Sequence, residues 1–411
     1  MKRQGLSILI LAGTACAATL ATGDSRVVIE PVVPGVCLTL DAQFSMSQRS
    51  SPPSSDDTSR LQSALTHCKG TGKSVVLAAS GSSNAFFTNT LTVSSEALVV
   101  NAGVTLYGNN SYSSAKQLIS VSGTNSAIMG PGAVDGRGDL ISGTPRLINA
   151  TNITNFTVFN VTLQRAAKMH LYVEGGNGFT AWAIKIATPA NTKNTDGIDI
   201  DSLTNATVFG SFIEDGDDGV AIKTNSGPAA NITISSNTFH GTHGMSIGSQ
   251  TMFGVTNVLW ENNKVYGTDQ FGNISTNNNG IQIKSNTECG GTVRQVTYSN
   301  TCMTGVKHLI VFNSNYSNSC TGNPGPPFYT DIVVDGVFAT NSQSGAFSEF
   351  NGLDSRLLLG LTLENVQLDI TKQQDSQFAS VGLFNSNIKP SGNDVTTFAV
   401  NGSGSIPRCS F

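Results

Sequence analysis

Carboxylates are concentrated in one short segment of this 411-residue chain. The segment reads Glu214-Asp215-Gly216-Asp217-Asp218-Gly219, and Asp196, Asp199 and Asp201 precede it. Like charges held close together raise the pKa of at least one carboxyl group, which can then donate a proton while the others act as bases. The hydrolysis of a glycosidic bond requires this division of roles. The segment therefore makes acid–base catalysis on a sugar one candidate chemistry.

Two other interpretations of the same carboxylates stay open at this point. Aspartate and asparagine most often form and cap turns, and a tight group of oxygen ligands also suits Ca²⁺. The spacing of the acids is compatible with all three roles.

Two basic side chains follow the acidic segment. His243 lies in Gly241-Thr242-His243-Gly244-Met245, and Lys284 ends the alternating run Ile281-Gln282-Ile283-Lys284. The alternation places Lys284 on the same face as Gln282. A single histidine is often structural and a single lysine is usually solvated, so their role depends on what the fold brings together.

Glycines that precede strand-like runs recur along the chain. Gly197, Gly219, Gly244 and Gly280 are 22, 25 and 36 residues apart, and the polar segment Thr268 to Asn279 accounts for the longest step as an inserted loop. Short β-branched runs with turn residues at their ends occur at Leu98–Val100, Phe156–Phe159, Ile198–Ile200, Val220–Ile222, Ile232–Ile234, Val258–Trp260, Ile281–Ile283 and Ile332–Val334. A repeat of this length indicates a solenoid, in which each coil stacks on the previous one.

Coils made only of strands indicate an all-β chain. They favour a parallel β-helix over a β-sandwich. Stacked strands lie ~4.8 Å apart, so residues one repeat apart become neighbours. We expect Asp196, Asp218 and His243 to form one column, continued by Lys284. Such a row of polar groups fits a long polymer lying across several coils.

A solenoid needs covered ends, because open ends expose unpaired strand edges. Ser59 to Cys68 is predicted to form a helix that begins after an Asp or Ser cap in Ser55-Asp56-Asp57-Thr58. Leu61, Leu65 and Cys68 fall on one face of it. We expect this helix to close the N-terminal end, although an ordinary surface helix has the same pattern.

The first residues resemble a secretory signal peptide. Lys2 and Arg3 precede an apolar run from Leu6 to Ala18, and small residues follow. We expect residues 1–21 to be a signal peptide and residues 22–411 to form a single β-helix catalytic domain. No later stretch is apolar enough to cross a membrane, and the formal charge of −4 gives no basic field for nucleic acid. A secreted monomer is the expectation.

The cysteines fit an exported chain. Six of them follow the signal segment, Cys37, Cys68, Cys289, Cys302, Cys320 and Cys409, and an even number suggests disulfides. Sequence leaves the pairing open, with local pairing of Cys37 and Cys68 preferred. No metal-ligand spacing is present among them, and Asn-X-Ser/Thr sequons such as Asn231 allow glycosylation.

Four motifs in this order resemble the polygalacturonases of glycoside hydrolase family 28, especially the bacterial-type members. Asn194-Thr195-Asp196 matches the family's Asn-Thr-Asp, and Gly216-Asp217-Asp218 matches its Gly-Asp-Asp. Thr242-His243-Gly244 partly matches Gly-His-Gly, and Gln282-Ile283-Lys284 stands where the family has Arg-Ile-Lys. The resemblance covers most of residues 95 to 340.

The resemblance implies a right-handed parallel β-helix that hydrolyses α-1,4-galacturonosyl bonds of polygalacturonate with inversion. Asp217 would be the general acid, Asp196 and Asp218 would activate the water, and His243 would support the acid. Substrate would be bound by Asn194, Gln282, Lys284 and Tyr316. The family implies no cofactor and no metal, and its partner is a pectic polysaccharide.

One departure from the family pattern affects the substrate. Gln282 replaces an arginine that would bind a galacturonate carboxylate with two charged hydrogen bonds, which a neutral amide cannot form. We therefore expect either weaker binding of polygalacturonate or a preference for a decorated pectin backbone such as xylogalacturonan or rhamnogalacturonan. A calcium-dependent pectate lyase and a non-catalytic β-helical binding protein are the remaining alternatives.

Overall fold

The computed structural model describes residues 17–317 and 325–411. The first strands are β1 (Thr19–Ala21), β2 (Val27–Ile29), β3 (Val36–Asp41), β4 (Ser74–Ala78), β5 (Ala85–Thr88), β6 (Leu91–Ser94), β7 (Ala97–Val100), β8 (Thr105–Gly108), β9 (Gln117–Ser122), β10 (Ala127–Met129) and β11 (Ala133–Asp135). One α-helix, α1 (Thr58–Cys68), and short 3-10 turns at Met46–Gln48 and Ser111–Ser114 interrupt them.

The central strands are β12 (Arg146–Phe159), β13 (Thr162–Gln164), β14 (Leu171–Trp182), β15 (Lys185–Ala187), β16 (Ile198–Phe209), β17 (Phe212–Glu214), β18 (Val220–Lys223), β19 (Ala229–Ser235), β20 (Thr238–His240), β21 (Met245–Ile247), β22 (Val255–Glu261), β23 (Lys264–Tyr266) and β24 (Asn279–Asn286). The last strands are β25 (Thr292–Thr304), β26 (His308–Ser317), β27 (Phe328–Thr340), β28 (Phe347–Asn351), β29 (Leu359–Gln367), β30 (Gln377–Ser386) and β31 (Asn393–Ala399).

Neighbouring coils pair in parallel along the whole solenoid. Strand β16 pairs with β14 of the preceding coil and with β18 and β19 of the next. Within the described residues, the hairpin of β1 and β2 is the antiparallel exception among the named strands. The fold is a right-handed parallel β-helix, which confirms the β-helix predicted from the repeats and the handedness implied by the resemblance.

The register of the strands separates core from surface. Ile200, Ile222, Ile247, Ile283 and Phe312 follow one another in a column across five coils, and all are fully buried. Because side chains alternate along a strand, the residue preceding each of these points out of the coil. The apolar residues thus form the inner column, and the residues that precede them lie on the outer face, where three of the five are polar.

Helix α1 covers the first coils, as predicted. Leu61, Ala64, Leu65 and Cys68 are buried in the main core, and the helix packs on β3, β4 and β6. It begins at Thr58, one residue earlier than the sequence pattern indicated.

The predicted aspartate cap is wrong for Asp57, whose side chain makes no capping bond to the helix. Its carboxylate instead accepts the Phe87 N–H at 3.0 Å and the Arg60 Nε–H at 2.9 Å. Asp56 accepts the Thr58 N–H at 3.0 Å. The side chain of Asp57 is drawn into the protein because Phe87 offers a buried backbone donor that needs a partner.

Two disulfides join described cysteines. Cys37 pairs with Cys68, which confirms the preferred pairing and ties β3 to the end of α1. Cys302 pairs with Cys409 and holds the C-terminal tail against β25. Cys320 lies outside the described residues. Within residues 17–317 and 325–411, no helix has the length and apolar character needed to span a membrane.

The N-terminal segment and the loop after Tyr266 were both singled out by the sequence predictions. Most of the predicted signal peptide, residues 1–16, lies outside the described chain, while Thr19–Ala21 pairs with Val27–Ile29 in the N-terminal hairpin. The predicted inserted loop is confirmed between Tyr266 and Asn279.

A buried asparagine secures one turn of the solenoid. Asn237 is fully buried, and its amide nitrogen donates to the carbonyl of Val208 and to Oδ1 of Asn263, both at 3.1 Å. Its Oδ1 accepts the backbone N–H of Ser211 at 2.9 Å. One side chain therefore satisfies backbone groups that the turn takes out of the strand ladder.

We expect Asn237→Leu to lower the free energy of unfolding by at least about 2 kcal/mol, because the Val208 carbonyl and the Ser211 N–H would lose their partner in the interior. Urea denaturation followed by tryptophan fluorescence measures this. The control is Asn393→Leu, on the exposed strand β31, with an expected change within about 0.5 kcal/mol. Equal effects of the two substitutions would contradict the role assigned to Asn237.

Candidate active site

The predicted column of polar residues exists. The Gly197 N–H donates to the carbonyl of Asp218 at 2.9 Å, and the Gly219 N–H donates to the carbonyl of Gly244 at 3.1 Å. These bonds stack the starts of β16, β18 and β21. Asp196, Asp218 and His243, which immediately precede the stacked glycines, are thereby placed on successive coils, as the repeat spacing predicted.

The prediction that Lys284 continues this column is wrong, because the next residue in register is Asn279. Ile247 pairs with Ile283, so Lys284 lies five residues beyond Asn279 on the same strand. Its long side chain nevertheless returns to the site. The ammonium contacts both carboxylate oxygens of Asp218, at 3.0 and 3.1 Å. Lys284 faces the same side as Gln282, as predicted, and both line one pocket.

The loops that carry the aspartates are joined by a buried threonine. The Thr195 hydroxyl donates to the carbonyl of Thr192 at 2.6 Å and accepts the Gly216 N–H at 3.0 Å. Gly216 has no alternative here, since a Cβ at this position would lie 2.0 Å from the Thr192 oxygen. The Asn-Thr-Asp and Gly-Asp-Asp motifs are thus two parts of one packed turn, which fixes Asp196 relative to Asp217.

Asp217 has one carboxylate oxygen held by two donors. Its Oδ1 lies 3.0 Å from Nδ1 of His243 and accepts the Asp218 N–H at 2.9 Å. The Asn277 N–H donates to Nε2 of His243 at 3.3 Å, so Nδ1 is the nitrogen that carries the proton toward Asp217. With Oδ1 occupied by two donors, Oδ2 is the oxygen available to carry an acidic proton. The side chain is 24% exposed.

The surroundings of Asp217 act in opposite directions on its pKa. Burial raises the pKa of this carboxyl group. The hydrogen bond from His243, the charge of that histidine when protonated and the charge of Lys284 together outweigh burial and hold the pKa below its ordinary value. Asp217 is therefore stabilised as an anion in the free protein.

Asp196 is governed by burial and by a second lysine. Burial raises its pKa, the Lys223 ammonium 3.3 Å away lowers it, and the charges of Asp217 and Asp218 raise it again, so that the net direction is upward. Burial lowers the pKa of Lys223, but the neighbouring carboxylates outweigh this and raise it well above its ordinary value. A carboxylate with a raised pKa is suited to accept a proton from water.

Four further acids, Asp199, Asp201, Glu214 and Asp215, lie around the column without belonging to it. Asp199 contacts Lys223 beneath the site. Asp201 accepts the Tyr172 hydroxyl at 2.5 Å, and Glu214 accepts the Gln270 N–H at 3.0 Å. Asp215 is fully buried and accepts the Asp217 N–H at 3.0 Å. Each of these four acids is thus engaged by an ion pair or a hydrogen bond from a neighbouring group.

Two predicted substrate contacts lie at the edge of the site. Tyr316 is 47% exposed, lines the pocket beside Lys284, and holds its ring centroid 5.5 Å from the Lys284 ammonium. Asn194 is exposed on the loop before Asp196, with a left-handed backbone (φ 58°). Their roles in binding stay predictions.

Several residues of the site escaped the sequence analysis. The Ser246 hydroxyl lies 2.7 Å from Asp218 and 3.2 Å from Oε1 of Gln282. Asn279, His308 and Glu349 line the pocket that extends from His243 toward later coils. The strand register would have revealed Ser246, which pairs directly with Gln282. Glu349 could not be found in this way, because the pairing between β26 and β28 shifts in register.

One group of described side chains has the geometry to hold a metal ion. Ligand atoms of Asp217, Asp218 and His243 all lie within 4.8 Å of one another. The chemistry of this set does not fit Ca²⁺, which takes six to eight oxygen ligands. A histidine nitrogen occupies one position, and the Lys284 ammonium already contacts both oxygens of Asp218. A calcium site at this position therefore lacks support.

Comparison with known proteins agrees with this geometry. The model of the family "Glycosyl hydrolases family 28" matches residues 68–382. An endo-polygalacturonase of Pectobacterium parmentieri is 36% identical, with 84% of this chain and 90% of that relative covered. A polygalacturonase of Ralstonia solanacearum is 31% identical over 88% of this chain and 83% of the relative.

A solved structure extends the agreement to three dimensions. The polygalacturonase from Erwinia carotovora ssp. carotovora is 35% identical and superposes with a TM-score of 0.75, covering 87% of this chain and 99% of the other. The family match over residues 68–382 includes all four motifs. This chain belongs to glycosyl hydrolases family 28 and is a glycoside hydrolase of the polygalacturonase type.

Proposed function

We propose that this protein hydrolyses α-1,4-galacturonosyl bonds within pectic galacturonan chains, by a single displacement with inversion. The observation that carries the proposal is the arrangement of Asp217, whose Oδ1 is occupied by His243 and the Asp218 N–H, while its side chain is 24% exposed and its Oδ2 accepts no hydrogen bond from the described residues. Asp196 and Asp218 lie in the same column. The relatives' names as endo-polygalacturonases support attack inside the chain.

The roles of the three aspartates follow from their surroundings. Asp217 donates a proton from Oδ2 to the leaving glycosidic oxygen. Bound uronates bring negative charge to the cleft, which raises the pKa of Asp217 and offsets the effect of the nearby cations. Asp196 and Asp218 hold the attacking water and accept its proton. The two lysines keep this group of carboxylates from repelling one another.

Export is the second part of the proposal. The basic start and apolar run of residues 1–21 support a signal peptide, with residues 22–411 acting outside the cell as a single, monomeric catalytic domain. The disulfides Cys37–Cys68 and Cys302–Cys409 support this location, since such bonds persist in oxidising compartments.

We expect Asp217→Asn to reduce turnover of polygalacturonate by about 10²–10⁴-fold while binding persists, because the amide keeps the shape of the side chain but cannot donate the proton. Reducing ends and unsaturated-product absorbance are followed together with a chelator present, and binding is followed by calorimetry. Asp331→Asn is the matched control, since Asp331 is exposed with a left-handed backbone that asparagine accepts.

Turnover of the Asp217→Asn variant within a few-fold of the unmodified protein would remove Asp217 from the role of acid. Unsaturated products, or a loss of activity when chelator is added, would show that the protein is a lyase and not a hydrolase.

The pH dependence of kcat in the His243→Ala variant tests whether His243 lowers the pKa of Asp217. A general acid acts while protonated, so kcat falls as pH rises through its pKa. Removal of His243 removes a hydrogen bond and a charge that lower the pKa of Asp217. The fall in kcat is therefore expected at higher pH than in the unmodified protein. His67→Ala, on the exposed face of α1, is expected to leave the profile unchanged. A fall at equal or lower pH would contradict the coupling.

Gln282→Arg is expected to lower the KM for polygalacturonate by about tenfold, because charged hydrogen bonds of ~1.5–3 kcal/mol to a substrate carboxylate replace those of a neutral amide. Steady-state kinetics on polygalacturonate measure this. Gln43→Arg, exposed near the N-terminus, controls for the added charge. An unchanged KM at Gln282→Arg would show that no substrate carboxylate reaches this position.

A further inference from the structure

The pocket beside the aspartates has a second half that the catalytic roles leave unexplained. The whole pocket extends from His243 across the coils of β24, β26 and β28, and its volume is about 160 Å³. The far half is lined by Asn279, Gln282, His308, Val311, Phe347 and Glu349. A sugar next to the bond being cleaved would occupy this space.

The far half of the pocket offers no free positive charge from its described residues. Nδ1 of His308 lies 2.7 Å from Oδ1 of Asn279. Burial lowers the pKa of His308 to about 4, so the imidazole is neutral at higher pH. The Lys284 ammonium, at the near end, contacts both oxygens of Asp218. A carboxylate bound in the far half would have no cation of its own.

Gln282 presents a neutral donor to this space. Its Oε1 accepts the Asn279 amide N–H at 3.1 Å and lies 3.2 Å from the Ser246 hydroxyl. With the oxygen engaged on the protein side, the amide NH₂ is the group left for a ligand. Such a donor suits an ester carbonyl or a hydroxyl, and it provides no charge to balance a carboxylate.

Glu349 places an acid in the same half. Val311 pairs with Glu349 and also with Gln282, so the three side chains follow one another on the outer face of adjacent coils. Glu349 is 7% exposed, and Asn351 donates to its Oε1 at 3.4 Å. Within residues 17–317 and 325–411, no lysine, arginine or histidine forms an ion pair with it.

The ionisation of Glu349 depends on its burial and on a few neighbouring groups. Burial raises the pKa of Glu349, the hydrogen bond from Asn351 lowers it, and the charge of Asp375 raises it again, with a net pKa of about 7. The titratable groups around it on the packed coils and loops are His243, Lys284, His308, Tyr316 and Asp375. Below about pH 7 the side chain is therefore a neutral acid that can donate a hydrogen bond, and above this pH it is an anion.

We infer that the half-pocket of Gln282, His308 and Glu349 receives a galacturonate unit whose carboxyl group is methyl-esterified, and that Glu349 discriminates against the charged acid. The inference rests on the proposed function and names the form of substrate that this site takes. Val311 and Phe347 supply apolar surface for the methyl group, and the Gln282 amide faces the ester carbonyl. A charged uronate would meet the carboxylate of Glu349 without a compensating cation.

The test measures a ratio of two substrates. kcat/KM is determined on partially methyl-esterified homogalacturonan and on polygalacturonate of matched length, well below and well above the pKa of about 7. Dividing kcat/KM for the esterified substrate by kcat/KM for the acid substrate cancels pH effects that act on both, including those of the catalytic acid. We expect the ratio to rise about tenfold as Glu349 ionises.

The Glu349→Gln variant should show a ratio that no longer changes with pH, because the amide keeps the shape and the hydrogen bonding but cannot ionise. Its thermal midpoint is compared with that of the unmodified protein to establish that it folds. Glu364→Gln removes the same charge from β29, outside the pocket, and should keep the pH-dependent ratio.

Failure of this inference is distinguishable from failure of the proposed function. If neither substrate yields reducing ends, both fall. If both substrates are hydrolysed, the inference alone is overturned by a ratio that favours polygalacturonate and does not change with pH, or by a Glu349→Gln variant that keeps the original pH-dependent ratio. The pH dependence in the unmodified protein is decisive even if the variant folds poorly.

Discussion

The parallel register between coils is the constraint on which the rest of this molecule depends. Strands stacked ~4.8 Å apart bring residues one repeat apart in the sequence to van der Waals or hydrogen-bond distance. A shift of one residue would exchange the inner and outer faces of a strand. The fully buried column that contains Ile222, Ile247 and Ile283 prevents such a shift. The same register that fills the core therefore sets the order of the catalytic side chains outside it.

Charge balance is the second requirement of the site. Asp196 and Asp218 are nearly buried, and burying an unpaired carboxylate is costly. Each receives an ammonium from a later coil, Lys223 at 3.3 Å and Lys284 at 3.0 Å. Asp217 is the more exposed member and is held by His243 instead. The group of acids can thus remain assembled in the absence of substrate, and the reacting oxygen needs no rearrangement of its support.

The sequence was sufficient for the fold and for the column of Asp196, Asp218 and His243, because both depend on a repeat that glycines mark. The sequence was not sufficient to predict where the ends of long side chains lie. Lys284 was expected in the column, yet it reaches Asp218 from five residues further along its strand. Glu349 was missed because a register shift separates its strand from the regular repeat. Side-chain length and irregular pairing are physical properties that spacing alone does not contain.

The loop between Tyr266 and Asn279 interrupts the repeat, and it contributes to the chemistry as well as to the shape of the cleft. The Asn277 N–H on this loop donates to Nε2 of His243 and so determines which imidazole nitrogen carries the proton. Transplanting a loop of different length from a relative would therefore alter tautomer selection as well as groove geometry. In this scaffold the inserted loop therefore takes part in acid–base chemistry as well as in shaping the cleft, and exchanging it changes both.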